Sequence, residues 1–261
     1  MKNEFLENFK DRLIKTYTPR KPLIISEWIA SHTNLKGKPF SFKDGYEFQR
    51  QICDDIHPNL KVKKISQVGL TELQLRKAIA LTAYHTGTFL IYAMPNQDMR
   101  DRVSRTRMRP IIDQLTPDVA DVRIKTTDLY QLNESFIAML ANVEGDATSN
   151  PADFLIIDEE DLSDQEILAL YNSRLQASKF KIRQDFSTPT YTGYGISAEF
   201  EISDQREYMK KCEHCGKWQI PDFDINCVHI PGLPETVYDF ERDFDSDTVM
   251  NLDFSGSYVK C

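Results

Sequence analysis

The hydrophobic positions of this chain change period along its length. "TFLIYAMP" (88–95) is a short, unbroken apolar run stopped by proline, the pattern of a buried strand. "DVRIKTT", "SFIAMLANV" and "DFLIIDEE" are three further strand candidates, and "VKKIS" is a β-branched strand running into a loop. "KFKIRQDFSTPT" reads as another strand entering a turn. Between these runs the period lengthens. "NEFLENFKDRLIK" puts Phe5, Leu6, Phe9, Leu13 and Ile14 on one helical stripe, and "GYEFQRQICDDI" predicts a short helix. "TELQLRKAIALTAYHT" is mostly apolar beyond its first turns, as a helix buried between layers is. "NQDMRDRVSRTRMRPIIDQL" predicts a helix broken near Pro110. In "SDQEILALYNSRLQA", Ser163 stands as the cap with Glu166 three residues on, a capping-box spacing.

Strands alternating with helices predict an α/β domain with a mainly parallel sheet from about 40 to 200. From about 204, aspartates, prolines and a CxxC appear and helical periodicity fades. The expected organisation is a helical segment over 1–39, an α/β core over 40–203 and a small acidic appendage over 204–261. There is no internal repeat and no low-complexity segment.

Composition adds a charge asymmetry. The 261 residues carry a net charge of −8, so any DNA contact must be local. Residues 61–110 hold ten basic and three acidic side chains, whereas 221–261 hold nine acids against Arg242 and Lys260. The middle of the chain is therefore expected to hold anions and the tail to repel them. No apolar run approaches the roughly 20 residues that a membrane span needs, and no signal pattern opens the chain. Five cysteines without a signal suggest free thiols or metal ligands in a reducing compartment.

The chemistry concentrates in "KVKKISQVGLTELQ". A phosphate loop needs inward-pointing amides, a cation for the β- and γ-phosphates and a hydroxyl for Mg²⁺. Aligned on G-x-x-x-x-G-K-[ST], Gly69 takes the second glycine and Thr71 the hydroxyl, while Leu70 occupies the lysine position and Lys64 the first glycine. A loop that curls round phosphates brings its ends together, so Lys64 could reach the same oxygens. The alternative is that Lys63 and Lys64 are solvated residues at a strand end. In "DFLIIDEED" an apolar run delivers Asp158 and Glu159 to a strand's C-terminal end, where open α/β sheets bind ligands. Asp158 would hold Mg²⁺ and Glu159 would polarise the attacking water. Glu160 and Asp161 read as an exposed acidic turn. Together these elements predict a nucleotide triphosphatase.

"KKISQVGLTELQLRKAI", "YAMPNQDMRDRVSRTRMRPIID", "FLIIDEED", "FSTPT" and "CEHCG", in this order, resemble the ATPase half of the large terminase subunit of tailed bacteriophages, nearest to the lambda gpA-like family. The resemblance covers roughly residues 25 to 261. It implies a P-loop (RecA/ASCE-like) ATPase that uses ATP and Mg²⁺ to translocate double-stranded DNA into a procapsid. Some members of that family carry a deviant loop with its lysine at the start, which Lys64 fits. The resemblance implies phosphate and nucleotide contacts from Lys64, Ser66, Gln67, Val68, Gly69, Leu70, Thr71 and Glu72. It implies adenine recognition by Tyr46, stacking, and Gln49, bonding the base edge; the alternative is a plain surface helix. Arg107 in "RTRMRP" best fits the family's arginine before a proline, with Arg100, Arg102, Arg105 and Arg109 nearby. Ser187 or Thr188 in "STPT" would sense the γ-phosphate. Implied partners are the portal protein, the small terminase subunit and further copies of the chain in a ring. The implied location is the host cytoplasm and, transiently, the procapsid portal.

Cys212 and Cys215 in "CEHCGKW" have zinc-knuckle spacing, which is half a zinc site. Cys261 is the candidate third ligand, with Cys227 and His229, or His214, as substitutes. Cys53 reads as a core thiol. Full-length large terminases add a nuclease domain. The chain is expected to stop before one and not to cut DNA. Two rivals remain: a DEAD-like helicase, which shares the acid pair, and a decayed P-loop module that docks DNA, which Leu70 favours.

Overall fold

The computed structural model describes residues 22–43, 45–220, 228–233 and 246–259. The helix expected over "NEFLENFKDRLIK" lies outside the described residues. Two compact units divide the chain, Met1–Ser203 and Asp204–Cys261.

In the first unit, helix α1 (Ile25–His32) leads to a small hairpin, β1 (Asn34–Leu35) and β2 (Lys38–Pro39), and to helix α2 (Phe48–Asp54). Strand β3 (Asn59–Lys63) then runs through the loop into helix α3 (Leu70–Tyr84). Strand β4 (Phe89–Met94) is followed by α4 (Gln97–Val103) and α5 (Arg109–Ile112), and then by β5 (Val122–Lys125), β6 (Leu129–Leu132) and β7 (Ser135–Ala141). Helix α6 (Glu144–Ser149), strand β8 (Phe154–Asp158), helix α7 (Gln165–Asn172), strand β9 (Ile182–Ser187) and helix α8 (Gly195–Glu201) complete the unit. One sheet has the strand order β3-β9-β8-β4-β7-β6-β5.

The first five strands of that order are mutually parallel, while β6 pairs antiparallel with both β7 and β5. The expected mainly parallel sheet is present, with one strand more than the pattern showed. Segment Leu129–Leu132 pairs with both neighbours as half of a hairpin turned at Asn133, whose φ is +55°. Its turn carries neither glycine nor proline, so no punctuation announced it.

Strand parity explains the two cores. In β4, Leu90, Tyr92 and Met94 join one cluster with Leu73, Ile79 and the rest of α3, while Ile91 and Ala93 join another with Leu168 and Tyr171 of α7. In β8, Phe154 and Ile156 face the first cluster, and Leu155 and Ile157 the second. Successive side chains of a strand point to opposite faces, so an unbroken apolar run is what a sheet covered on both sides requires. Asp158 continues the parity of Phe154 and Ile156, and its carboxylate therefore falls on the face of α3. Ile25 and Ile29 of α1 belong to that first cluster too.

One local expectation holds and one needs correction. The long helix is irregular near Pro110, as expected. A π-helical stretch, Ser104–Met108, joins α4 to α5, with Pro110 in the first turn of α5. Proline has no N–H to return to the preceding turn, and the wider turn takes up the mismatch. The cap of α7 is Asp164, whose carboxylate accepts from the amides of Glu166 and Ile167; Ser163 donates to the Glu159 carbonyl instead.

Two of the counted cations are buried. Of the ten basic side chains in 61–110, Arg76 and Lys77 are inside α3's packed face. Arg76 lies over the Phe40 ring and donates to Glu72, Thr33 and the Asn34 carbonyl. Lys77 donates to the carbonyls of Ile52 and Asp55 at the end of α2. Cys53 beside it is the core thiol expected, and burial pushes its pKa up to about 12.

In the second unit, β10 (Lys210–Lys211) pairs with β11 (Trp218–Gln219), and β12 (Val228–His229) pairs with β13 (Tyr258–Val259); helix α9 (Ser246–Met250) precedes β13. Among the described residues no helix is long and apolar enough to cross a membrane.

Burial lowers the pKa of Lys77 to about 8, so the folded state releases this proton before the unfolded chain does. Stability from this group therefore rises with pH between about 8 and the ordinary lysine value. Relative to Lys77→Met, the wild type is expected to gain on the order of 2 kcal/mol between about pH 7.5 and 9.5, read by urea unfolding. A difference that does not change with pH would contradict this account.

Candidate active site

Parallel strands bring the chain leaving β3, β8 and β9 to one edge of the sheet. Lys63 is in register with Ser187, and Asp158 with Phe186. Open α/β sheets bind ligands at this carboxyl edge. Here it gathers the loop 64–69, the acidic turn 158–161 and the segment after Ser187.

The loop turns on two left-handed residues, Gln67 (φ +62°) and Gly69 (φ +74°). Gly69 caps α3, and a Cβ on it would come within 2.9 Å of the Gln49 Nε2 atom. Only glycine meets both conditions without cost. Gln49 is buried, and its amide donates to the Val68 carbonyl at 2.5 Å. Gln49 is thus the inward-facing residue of a helix whose Arg50 and Gln51 are exposed, and this bond uses one of its two N–H donors, leaving the other and its Oε1. Tyr46 is half-exposed, and a Cβ on Gly69 would meet its ring edge at 3.7 Å. Leu70, at the usual lysine position, is buried in the first core cluster.

Lys64 is not a solvated strand end. Its side chain is only 7% exposed, and its Nζ donates to Glu159 Oε1 at 2.6 Å and to Thr188 Oγ1 at 3.4 Å. Lys63 lies over the Phe200 ring. Glu159 has the left-handed backbone φ +56°, ψ +56°, an uncommon state for a residue with a side chain. The kink ends β8 and turns this carboxylate towards Lys64 and the Thr188 amide, 3.4 Å from Oε2.

Asp158 is fully enclosed. Its Oδ2 accepts from the Tyr92 hydroxyl at 2.9 Å, whereas its Oδ1 is buried without a hydrogen-bond partner. Burial pushes its pKa up, opposed by the hydroxyls of Thr71 and Tyr92 and by Lys64. A buried, unpartnered carboxylate oxygen beside a threonine hydroxyl is a donor set that fits a small hard cation such as Mg²⁺. Glu72, next along α3, binds Arg76 and has Arg107 Nε 3.5 Å from Oε1. Arg107 is thus beside the start of α3 and partly exposed. Arg100 and Arg105 pair with Asp101, and Arg109 donates to the Lys125 carbonyl.

The next two acids are not an exposed turn; both are buried. Glu160 sits with Lys61, Asp185, Arg183 and Glu199, and burial raises its pKa to about 7. Asp161 accepts from Thr190 and from the amide of Ile196. An apolar run followed by four acids announces a strand end, but it does not show that the later pair turns inward. Ser187 is also spent internally, donating to the Thr188 carbonyl and accepting from the Asp161 amide. Of the two alternative hydroxyls, it is that of Thr188 that contacts Lys64.

The remaining candidates do not assemble. Cys212 and Cys215 lie on the turn between β10 and β11, closed by the bond from the Gly216 amide to the Cys212 carbonyl. Among the described residues no group of three or more His, Cys, Asp or Glu side chains could hold a metal. His229 stacks on Tyr258. Cys227 and Cys261 lie outside the described residues, and the zinc expectation has no support.

Comparison with known proteins bears on the family and the fold. The family model for the phage terminase large subunit gpA ATPase domain matches residues 46–238. The ATPase domain of the Thermus phage P74-26 large terminase is 14% identical, with a TM-score of 0.50, over 62% of this chain and 72% of that one. The large terminase of bacteriophage HK97 is 13% identical, with a TM-score of 0.55, over 67% of this chain and 39% of that one. At such identities the likeness shows the fold, a mostly parallel sheet between helices. The chain spans about two-fifths of the HK97 protein. No curated protein matches.

Replacing Gly69 with Ala puts a Cβ against Gln49 on a left-handed backbone. The variant is expected to lose about 1–2 kcal/mol of stability by urea unfolding. Wild-type stability would contradict the role given to this glycine.

Proposed function

Because the chain belongs to the family of phage terminase large subunit gpA ATPase domains, we propose that it is the Mg²⁺-dependent ATPase motor that drives double-stranded DNA into a procapsid. The observation that carries this reading is the meeting of Lys64, Glu159 and Thr188 beside the unpartnered Oδ1 of Asp158 at the sheet's carboxyl edge.

Roles follow from the surroundings of each group. Lys64 supplies the cation for the β- and γ-phosphates from the start of the loop, where its Nζ already faces the acidic turn. The amides of residues 66–72, at the turn into α3, receive phosphate oxygens, and the N-terminus of that helix favours negative charge there. Tyr46, beside Gly69, stacks on the base. Thr71 and Asp158 hold Mg²⁺, which when bound neutralises charge on the phosphate oxygens. Glu159 orients and polarises water for attack on the γ-phosphorus once Lys64 has turned to the phosphates. Thr188 reads whether that phosphate is present through its contacts with both residues. Arg107, next to Glu72, approaches the transferring group in its own subunit or in a neighbour's.

The wider reading follows from the family. Copies of the chain act as a ring at the portal, with the small terminase subunit, in the host cytoplasm. The α/β unit is the motor core, and residues 204–261 are an acidic appendage to it.

In Glu159→Ala the water loses its base and Lys64 loses its present partner. ATP affinity is expected to hold or tighten, while hydrolysis falls by about 100-fold or more. Turnover at the wild-type rate would overturn the role of Glu159. Calorimetric titration with a slowly hydrolysed ATP analogue and a phosphate-release assay read the two quantities separately.

A further inference from the structure

Asp161 has no part in the chemistry above, yet it is among the most fully satisfied acids of the site. Its residue is 6% exposed. Oδ2 accepts from the Thr190 amide at 2.8 Å and the Thr190 hydroxyl at 3.1 Å, and Oδ1 accepts from the Ile196 amide at 2.8 Å. Its own amide donates to Ser187 Oγ at 3.0 Å. Both ends of the segment 188–196 are therefore tied to one residue. Gly195 is the complementary feature: its φ is +50°, and a Cβ there would come within 2.4 Å of Asp161 Oδ1. The chain approaches this carboxylate so closely that a side chain cannot fit.

Asp161 is two residues from Glu159, within a single 3-10 turn, Glu160–Leu162, that begins at the kinked Glu159. Short rigid turns move as units. The segment that Asp161 grips carries Tyr191 and Tyr194, stacked with ring centroids 4.8 Å apart, and Tyr191 is 63% exposed. We propose that Asp161 is a positioning residue that couples the Lys64–Glu159 contact to segment 188–196, so that loading of the nucleotide site displaces the exposed tyrosine tip. This rests on the ATPase reading and adds to it the path by which the site acts on the surface. The covalent step itself needs nothing from Asp161. Its part is to hold the segment in the place where the Thr188 amide and hydroxyl meet Glu159 and Lys64.

Asp161→Asn keeps an acceptor for Ile196 but can set an NH₂ against the Thr190 amide, which opens one end of the tie. Thr190→Val removes only the hydroxyl donor. Amide exchange at Thr190 and Ile196, followed by mass spectrometry with and without a slowly hydrolysed ATP analogue, reads the tie directly. In the wild type the analogue is expected to change exchange at both amides. In Asp161→Asn the Thr190 amide should exchange fast whether or not the analogue is present, with analogue affinity close to wild type and kcat lower by about ten-fold. Thr190→Val should show the same pattern more weakly. Wild-type kcat and nucleotide response in Asp161→Asn would overturn the proposal. So would a fall in analogue affinity that tracks loss of folding, since that is the mark of a structural role. A wild type that binds no analogue would instead strike at the ATPase reading itself.

Discussion

The contact between the Lys64 ammonium and the Glu159 carboxylate, 2.6 Å long, is the constraint around which this edge of the molecule is arranged. It joins the end of β3 to the end of β8 across the intervening β9. It needs the parallel register of all three strands, the kinked backbone at Glu159 and a loop that starts with its lysine turned inward. Removing two ions from water largely offsets their attraction, so the pair adds little net stability. What it provides is placement. In the proposed reading, each charge is held within reach of an incoming triphosphate by the partner it gives up to act.

The four consecutive acids after "FLII" show how one short sequence is divided among different tasks. Asp158 is on the α3 face, enclosed with one oxygen free of partners. Glu159 leaves the strand through a left-handed turn and faces Lys64. Glu160 is packed in the cluster of Lys61, Asp185, Arg183 and Glu199, and Asp161 holds the segment after Ser187. Two of the six described left-handed residues without glycine's freedom are here, Gln67 and Glu159. Such conformations persist only when the surroundings over-determine them, and they gather where function needs a particular geometry. Leu70 shows the reverse economy. Where the usual loop carries its cation, this chain places a core residue, and in the proposed reading the cation enters from the loop's other end.

Much of this was legible in the sequence, for a physical reason. A sheet covered on both faces leaves unbroken apolar runs, so "FLIYAM" and "FLII" announced the central strands, and the glycine turn with its following helix announced the loop. Burial of charge was not legible. Arg76, Lys77, Glu160 and Asp161 look solvated in one dimension, because the groups around them, carbonyls and a ring for the two cations and cations, amides and a hydroxyl for the two acids, come largely from other segments. Ser163 and Asp164 are adjacent cap-forming residues, and only the backbone angle decides between them. The internal bonds of Gln49 and Ser187 were likewise not legible, because the sequence cannot say which polar groups bond within the fold.

The central claim is that the cation for the phosphates enters from the start of the loop. Equilibrium affinities of wild type and Lys64→Ala for ATP, ADP and AMP test it most directly. The account expects the variant to lose about ten-fold or more in affinity for ATP and ADP, as a missing charge-assisted contact would, while AMP binds as before. Undiminished ATP affinity in Lys64→Ala would contradict it.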